Sequence, residues 1–368
     1  MGTSKSLKRS AATAAVLATV SFAAMSCGKS SDSSTTSSVT ATNVADLKLS
    51  SSLHITLPDS LAKVAGQSNS PGLALTMAGK KSTEACQTVQ NVARMFDRLT
   101  DISNAFCHLE VESANIKFGT KYKIVLLTAT GPMELPSWID NSTPGQLTMY
   151  QCYDGKIRQK VVLTSSTASG VKGNLWYKDS NNGNFVTDAL DFDFTNDGVK
   201  IVKGQNHFSD GTNSYAQDNA LEFRDVGVSL MKTASRGRWG SNNSFQDRGL
   251  VKSNGTLGQA LFKGQGTSDY GTYSGSSRST FDQDGIAVAN ATATSDITVA
   301  AGDLPAFLAD DFAIPDATGW DCPTEEMLTI DLNVGPNAAA HAACDRMPPQ
   351  FVDCWSSDYE QGDQEQID

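Results

Sequence analysis

Four histidines, His54, His108, His207 and His341, are all the chain offers for acid–base or metal chemistry near neutral pH. His108, Glu110 and Glu112 follow one another at two-residue steps. On a strand they would share one face and could form a metal trio. They come just after a predicted helix, where a solvated polar face is the plainer reading, and no metal is assigned. Asp179, Asn181 and Asp188 offer oxygen ligands of the kind calcium loops use. The glycine spacing is not that of an EF-hand, and a hairpin turn accounts for the stretch. Asp191 and Asp193 could be paired as acid and base, but they alternate with Leu190, Phe192 and Phe194 and read as the wet face of a strand. No G-x-S-x-G, H-E-x-x-H, P-loop or C-x-x-C spacing occurs. No catalytic residue and no cofactor is expected, and the chain reads as a non-enzyme. The richest cluster is aromatic and polar: Trp176, Tyr177, Arg236, Arg238, Trp239, Tyr270 and Tyr273. Exposed rings stack on sugars and arginine forks onto carboxylates, so these seven are the candidate ligand-binding residues. The competing reading sends half of them into a β core.

The elements that must position them form one run from Leu147 to about Ile297. Turn pairs punctuate it: Asp154-Gly155, Asn182-Gly183, Asp197-Gly198, Asp210-Gly211, Asn254-Gly255 and Asp284-Gly285. Such pairs supply the positive φ angles of tight hairpins. Alternation between them predicts an antiparallel meander of roughly eight to eleven strands, curled into a large sheet or barrel-like β domain to protect its edges. The fold class is mainly β. Upstream, Leu53, Ile55 and Leu57 alternate like a strand over Asp46 to Pro58, and Ile116 to Ile124 does the same. Between them Ala85, Val89, Val92, Phe96, Leu99 and Ile102 recur at three- and four-residue steps, predicting one amphipathic helix, Thr83–Phe106, packed on the sheet. Gln87, Gln90, Arg94, Arg98 and Asp101 take its other side. Pro132, Pro136 and Pro144 should break the chain before the meander. Beyond Ala301 a strand over Met327–Val334 and a short helix over Asn337–Ala343 are expected, with fraying after Trp355.

Seven cysteines, an odd number, are informative. A continuous helix would hold Cys86 and Cys107 about 30 Å apart, against the roughly 7 Å that a bridge allows. Cys86, Cys107 and Cys152 precede most of the meander, and Cys322, Cys344 and Cys354 follow it. If all six pair, at least one bridge must staple the C-terminal segment onto the N-terminal part. The seventh is Cys27. Lys5, Lys8 and Arg9 precede a short apolar stretch, Ala11–Ala24, too short to span a bilayer as a helix and consistent with an export signal. Gly28–Thr42 is a Ser/Thr-rich tether with little to bury.

Ala24-Met25-Ser26-Cys27 resembles the lipobox of bacterial lipoproteins, with Ala24 where leucine is usual. The resemblance covers this segment alone. It implies cleavage after Ser26 and a lipid thioether on Cys27, which would leave six cysteines to pair. Gly28, in place of aspartate, implies the outer membrane under the familiar sorting rule. Removing the signal takes the formal charge from -11 to -14, that is -11 minus 3. An acidic body is a poor nucleic-acid binder. The expected organisation is a signal over 1–26, a tether over 27–45 and one β-rich domain over 46–368. Within that domain, 46–146 carries strands plus the helix 83–106, 147–297 the meander, and 298–368 the cysteine-containing segment. The expected role is a lipid-anchored, non-enzymatic binding or adhesion module of the bacterial envelope, its membrane contact made at Cys27. Its partner would be a glycan or an envelope protein. A purely structural envelope role, and more distantly a hydrolase with an unrecognised site, are the alternatives.

Overall fold

A computed structural model describes residues 44–66, 79–115, 122–128, 131–140, 143, 146–153, 155–167, 170–178, 186–209, 214–240, 242–289, 291–308, 317–322, 326–331, 337–346 and 352–364. Cys27 and the tether up to residue 43 lie outside these residues. Strand is the dominant regular structure, and the sheet follows chain order almost throughout. The strands that enter it are β2 (Tyr122–Thr128), β3 (Gly131–Asp140), β4 (Leu147–Tyr153), β5 (Lys156–Ser166), β6 (Val171–Tyr177), β7 (Asp188–Asp193) and β8 (Val199–Ser209). They continue as β9 (Ser214–Val226), β10 (Val228–Trp239), β11 (Asn243–Ser253), β12 (Leu257–Ser268) and β13 (Gly271–Asp282). Each pairs antiparallel with its neighbour in sequence. Two late strands close the ends of the sheet: β14 (Glu326–Asp331) runs parallel beside β2, and β16 (Asp363–Gln364) runs antiparallel beside β13. Gly155, Gly198, Gly255 and Gly285 hold positive φ in the turns where their dipeptides place them. The Asn182-Gly183 and Asp210-Gly211 turns lie outside the described residues.

The long helix, α3 (Thr83–Val111), starts where the Ser82 side chain accepts the Ala85 N–H at 3.0 Å. It runs five residues past Phe106, the expected end. The apolar stripe carries on through Phe106 and Leu109, both buried, so there is no reason for the helix to stop. Its stripe and the inward residues of strands from β3 to β13 form one apolar cluster, with Phe96 stacked on Phe194 at 5.9 Å between ring centroids. The sheet curls over the helix, and among the described residues this cluster lies between the two. At Gly249 the helix comes so close that an added Cβ would stand 3.2 Å from the Thr88 Cβ.

Two short helices, α1 (Leu49–Ser52) and α2 (Asp59–Val64), cover α3 on its far side. The strand expected over Asp46–Pro58 is not formed: helical turns take its first part, and 53–58 joins α1 to α2 without regular structure, with Leu49, Leu53, Leu57 and Leu61 all buried in the cluster that holds the α3 stripe. Gln90, assigned to a polar face, is buried and donates to the Val352 carbonyl at 2.8 Å. Pro132 and Pro136 lie inside β3. Irregular pairing with β2 leaves Glu134–Pro136 out of that ladder, and β4 pairs only Ser137–Asp140, so Pro136 takes no donor from a ladder, while Pro132 pairs with Leu127 of β2 and is not paired with β4. The first half of the strand expected over Ile116–Ile124 lies outside the described residues.

All three disulfides join the two ends: Cys86–Cys354, Cys107–Cys344 and Cys152–Cys322, with sequence separations of 268, 237 and 170. Beyond β14, the helix α4 (Ala338–Ala342) sits against the end of α3. The stretch after Trp355 does not fray throughout. Tyr359 is buried and donates to the Val64 carbonyl at 3.2 Å. There β15 (Tyr359–Glu360) pairs in parallel with β1 (Lys81–Ser82).

Candidate functional site

The meander's turns alternate between two ends. One end, holding the β7–β8, β9–β10 and β11–β12 turns, is capped by the N-terminal helices. There Ser60 bonds Ser253 at 3.0 Å, Lys63 meets Asp284 at 2.7 Å, and the Lys200 ammonium donates to the carbonyls of Ser52 and His54. The opposite end holds the β10–β11 and β12–β13 turns and carries Tyr177, Trp239, Tyr270 and Tyr273, all exposed. The register shows what supports the last three. On the helix-facing side of the sheet, three rows run across β10 to β13: Thr233, Gly249, Phe262 and Ser277; then Ser235, Asp247, Gly264 and Gly275; then Gly237, Phe245, Gly266 and Tyr273. The first row lies under α3. The outer row alternates glycine with a ring, and each ring covers the neighbouring glycine: a Cβ on Gly266 would stand 2.6 Å from the Tyr273 hydroxyl oxygen, and one on Gly237 would run into the Phe245 ring. Trp239 stands against Phe245 at 5.8 Å between centroids. The Asp269 N–H donates to Asn243 at 3.2 Å and ties the two turns together.

Between the buried row and the aromatic row sits Asp247, a carboxyl with no hydrogen bond or ion pair among the described residues. Burial alone pushes it up to about 7, and in turn it helps burial raise the Tyr273 phenol. Nothing in the sequence singled out Asp247; its Gly264 and Gly275 neighbours come from register, which a single chain does not display. The end of the sheet thus presents flat rings beside a carboxyl poised between its two protonation states. Such a surface can stack on a sugar ring and exchange hydrogen bonds with its hydroxyls. Because its folded pKa is raised, Asp247 adds stability below the unfolded value near 3.9 and loses it as pH rises through about 7. Asp247→Asn is expected to stabilise the protein at about pH 8, by about 1–2 kcal/mol, and to change little near pH 4, as read by urea unfolding at both pH values.

The remaining sequence candidates fall elsewhere. Arg236 and Arg238 point to the opposite face from Trp239. Arg236 is buried and grips the equally buried Asp218 through both Nε and Nη2, with Nε at 2.6 Å, so it is structural and unavailable to a ligand. Trp176 is half-buried on that face, where it, Tyr150 and Trp320 surround the Lys160 ammonium at 5.6, 5.9 and 5.8 Å. A bulge at Gln151/Cys152 turns Cys152 and Ile157 into the same small cluster with Tyr150, Trp320 and Cys322. His108, Glu110 and Glu112 do not converge. They sit on and just after a helix, not a strand, and Glu110 instead holds the Ser50 N–H and hydroxyl at 2.9 and 2.6 Å. No group of three such ligands able to hold a metal occurs among the described residues. Asp188 is buried and accepts from Asn206 at 2.8 Å, while Asp179 and Asn181 lie outside the described residues. Asp191 and Asp193 bond Asn174 and Lys172 on the outer face.

That outer face also carries a cleft of about 440 Å³ over β5 to β9, floored by Lys172, Asp191, Asp193, Ile201, Lys203 and Glu222. The segment 297–308 crosses the same face, with Val299 and Leu304 on Leu250 and Leu261 and the Pro305 carbonyl on Arg248 at 3.1 Å. Ala317 is buried, and Asp321 pairs with Lys156 at the start of β5. No described helix is long and apolar enough to cross a membrane. No protein-family model matches the chain, and no curated protein or solved structure does.

Proposed function

We propose that the protein is a lipid-anchored outer-membrane lipoprotein of the bacterial envelope that acts as a non-enzymatic glycan-binding module, reading its ligand with the aromatic end of the sheet. The observation that carries this reading is the row Gly237, Phe245, Gly266 and Tyr273, flanked by Trp239 and the carboxyl of Asp247. Exposed rings seated over glycines are held in place without being buried, so their faces stay open for stacking. The apolar cluster packed between α3 and the sheet supports recognition at the surface over carriage of a ligand inside. Ala24-Met25-Ser26-Cys27, the polar tether behind it and the pairing of the other six cysteines support the anchor. The membrane is the partner at Cys27, and nucleic acid is not expected as a partner of so acidic a chain.

Binding to a panel of oligosaccharides that includes soluble peptidoglycan fragments tests the recognition. Trp239→Ala and Tyr273→Ala are each expected to weaken binding about tenfold or more while leaving thermal unfolding nearly unchanged, since base- and ring-stacking contacts of this kind contribute about 1–3 kcal/mol each. Wild-type protein that binds no glycan, or variants that bind as well as wild type, would overturn it. Intact mass of membrane-extracted protein reads the anchor separately, with Cys27→Ser expected to release the protein from membranes.

A further inference from the structure

We propose that His108 and His341 form a pH-sensitive latch that holds α4 on the end of α3 while the two rings share at most one extra proton, and that loosens when a second arrives. The rings face each other through their Nδ1 atoms at 3.2 Å. Their outer nitrogens meet carboxylates: His341 Nε2 lies 3.0 Å from Glu112, and His108 Nε2 lies 3.4 Å from Asp345. Three contacts need three protons on four ring nitrogens, which is one imidazolium and one neutral ring. Two neutral rings leave one contact unmade. Two imidazolium rings set N–H against N–H, and both side chains are so deeply buried, at 5% and 1% exposed, that water cannot separate them.

The surroundings do not offset a second charge. On α3, Glu112 is shared with the Asn337 amide at 3.0 Å, and Glu110 is committed to Ser50. After α4, Asp345 is largely exposed, and the Arg346 guanidinium donates to the Ser50 carbonyl at 2.7 Å and to Ser103 at 3.1 Å. His54, on the N-terminal side, feels Arg346 and Lys200 as well as its own burial, and all three lower it. Burial holds His108 below the ordinary histidine range, Asp345 opposes that, and His341 adds to it. A base whose folded pKa is lowered contributes its full stability above the unfolded value near 6.5 and loses it as pH falls towards the folded value. The Cys107–Cys344 bridge, with Cα atoms 5.4 Å apart, keeps the two helices tethered beside the pair, so opening is local and reversible.

Amide hydrogen exchange over residues 337–346 of the oxidised full-length protein, corrected for intrinsic rates, tests the latch. From about pH 7.5 down to about pH 5, protection is expected to hold until about 6.5 and then fall by about tenfold per pH unit for each proton taken up on opening. His341→Gln, which can still donate to Glu112 but does not titrate, is expected to flatten that slope. Asp345→Asn, at a largely exposed position, is expected to leave protection unchanged at the upper pH and to deepen the loss at the lower one. A flat wild-type profile overturns the latch. So does a slope that survives in His341→Gln, which would assign it to His54 or to the carboxylates. Should His341→Gln fail to fold, an Asp345→Asn profile identical to wild type overturns it alone.

Discussion

Replacing Arg236 by methionine is expected to destabilise the protein by about 3–5 kcal/mol, the largest single-residue effect predicted for this chain. The guanidinium and the Asp218 carboxylate are 3% and 0% exposed, and Gln205 reaches the same carboxylate at 3.4 Å. Methionine keeps the volume but leaves a charge buried with its main counter-ion gone. The asymmetry is the test. Arg236→Met combined with Asp218→Leu should cost less than Arg236→Met alone, because removing both charges removes the penalty of the orphan. Urea unfolding of the wild type and these two variants reads both numbers. Equal losses in single and double variants would mean that packing, not charge, dominates at this position. Any loss of ligand binding in an Arg236 variant should accordingly track loss of folded protein.

Removing the Cys86–Cys354 bridge, by substituting both residues with alanine, is expected to cost about 2–5 kcal/mol. The bridge closes a separation of 268 residues and sits inside the main apolar cluster, where Cys86, Cys354 and Tyr359 are all buried. The pieces it holds have little else of regular structure: β15 offers two residue pairs to β1, and β16 offers two to β13. The strands β6 to β13 are held by ladders without register shifts and do not depend on it. Under reduction, hydrogen exchange should therefore speed up first over residues 352–364, while β9 to β12 stay protected. Simultaneous loss in both regions would show that the staple and the sheet unfold as one unit.

Local rules were enough for the parts of the fold that rest on local interactions. Asn-Gly and Asp-Gly pairs marked hairpin turns because positive φ is a property of one or two residues, and alternation such as Leu190, Phe192 and Phe194 marked strands because the pleat repeats every two. The α3 stripe was legible for the same reason, though its end was not: polar Asn104 and His108 hid a continuation that only contact with the C-terminal segment rewards. The strand misread over Asp46–Pro58 shows the limit. Short apolar runs fit a pleat or a helical turn, and here burial against α3 is met by short helices joined by an irregular link over 53–58.

For function, the division is sharper. Cysteine parity, with three on each side of the meander, already required an N-to-C bridge if all six paired, because counting does not depend on geometry. Which cysteine meets which, and that all three bridges join the ends, was set by where the long helix and the curled sheet bring the two segments together. Residue type named Trp239, Tyr270 and Tyr273 as exposed rings, and named Arg236 beside them on the same grounds. Register separated them, since alternate residues of β10 face opposite ways and Asp218 lies across from Arg236 on the face away from the helix. Asp247 and the His108–His341 pair join residues 17 or more positions apart in sequence, namely Asp247 with Gly264 and, 233 apart, the two histidines. A side chain's chemistry is written in its type, but its partner, its burial and hence its charge are properties of the packed chain.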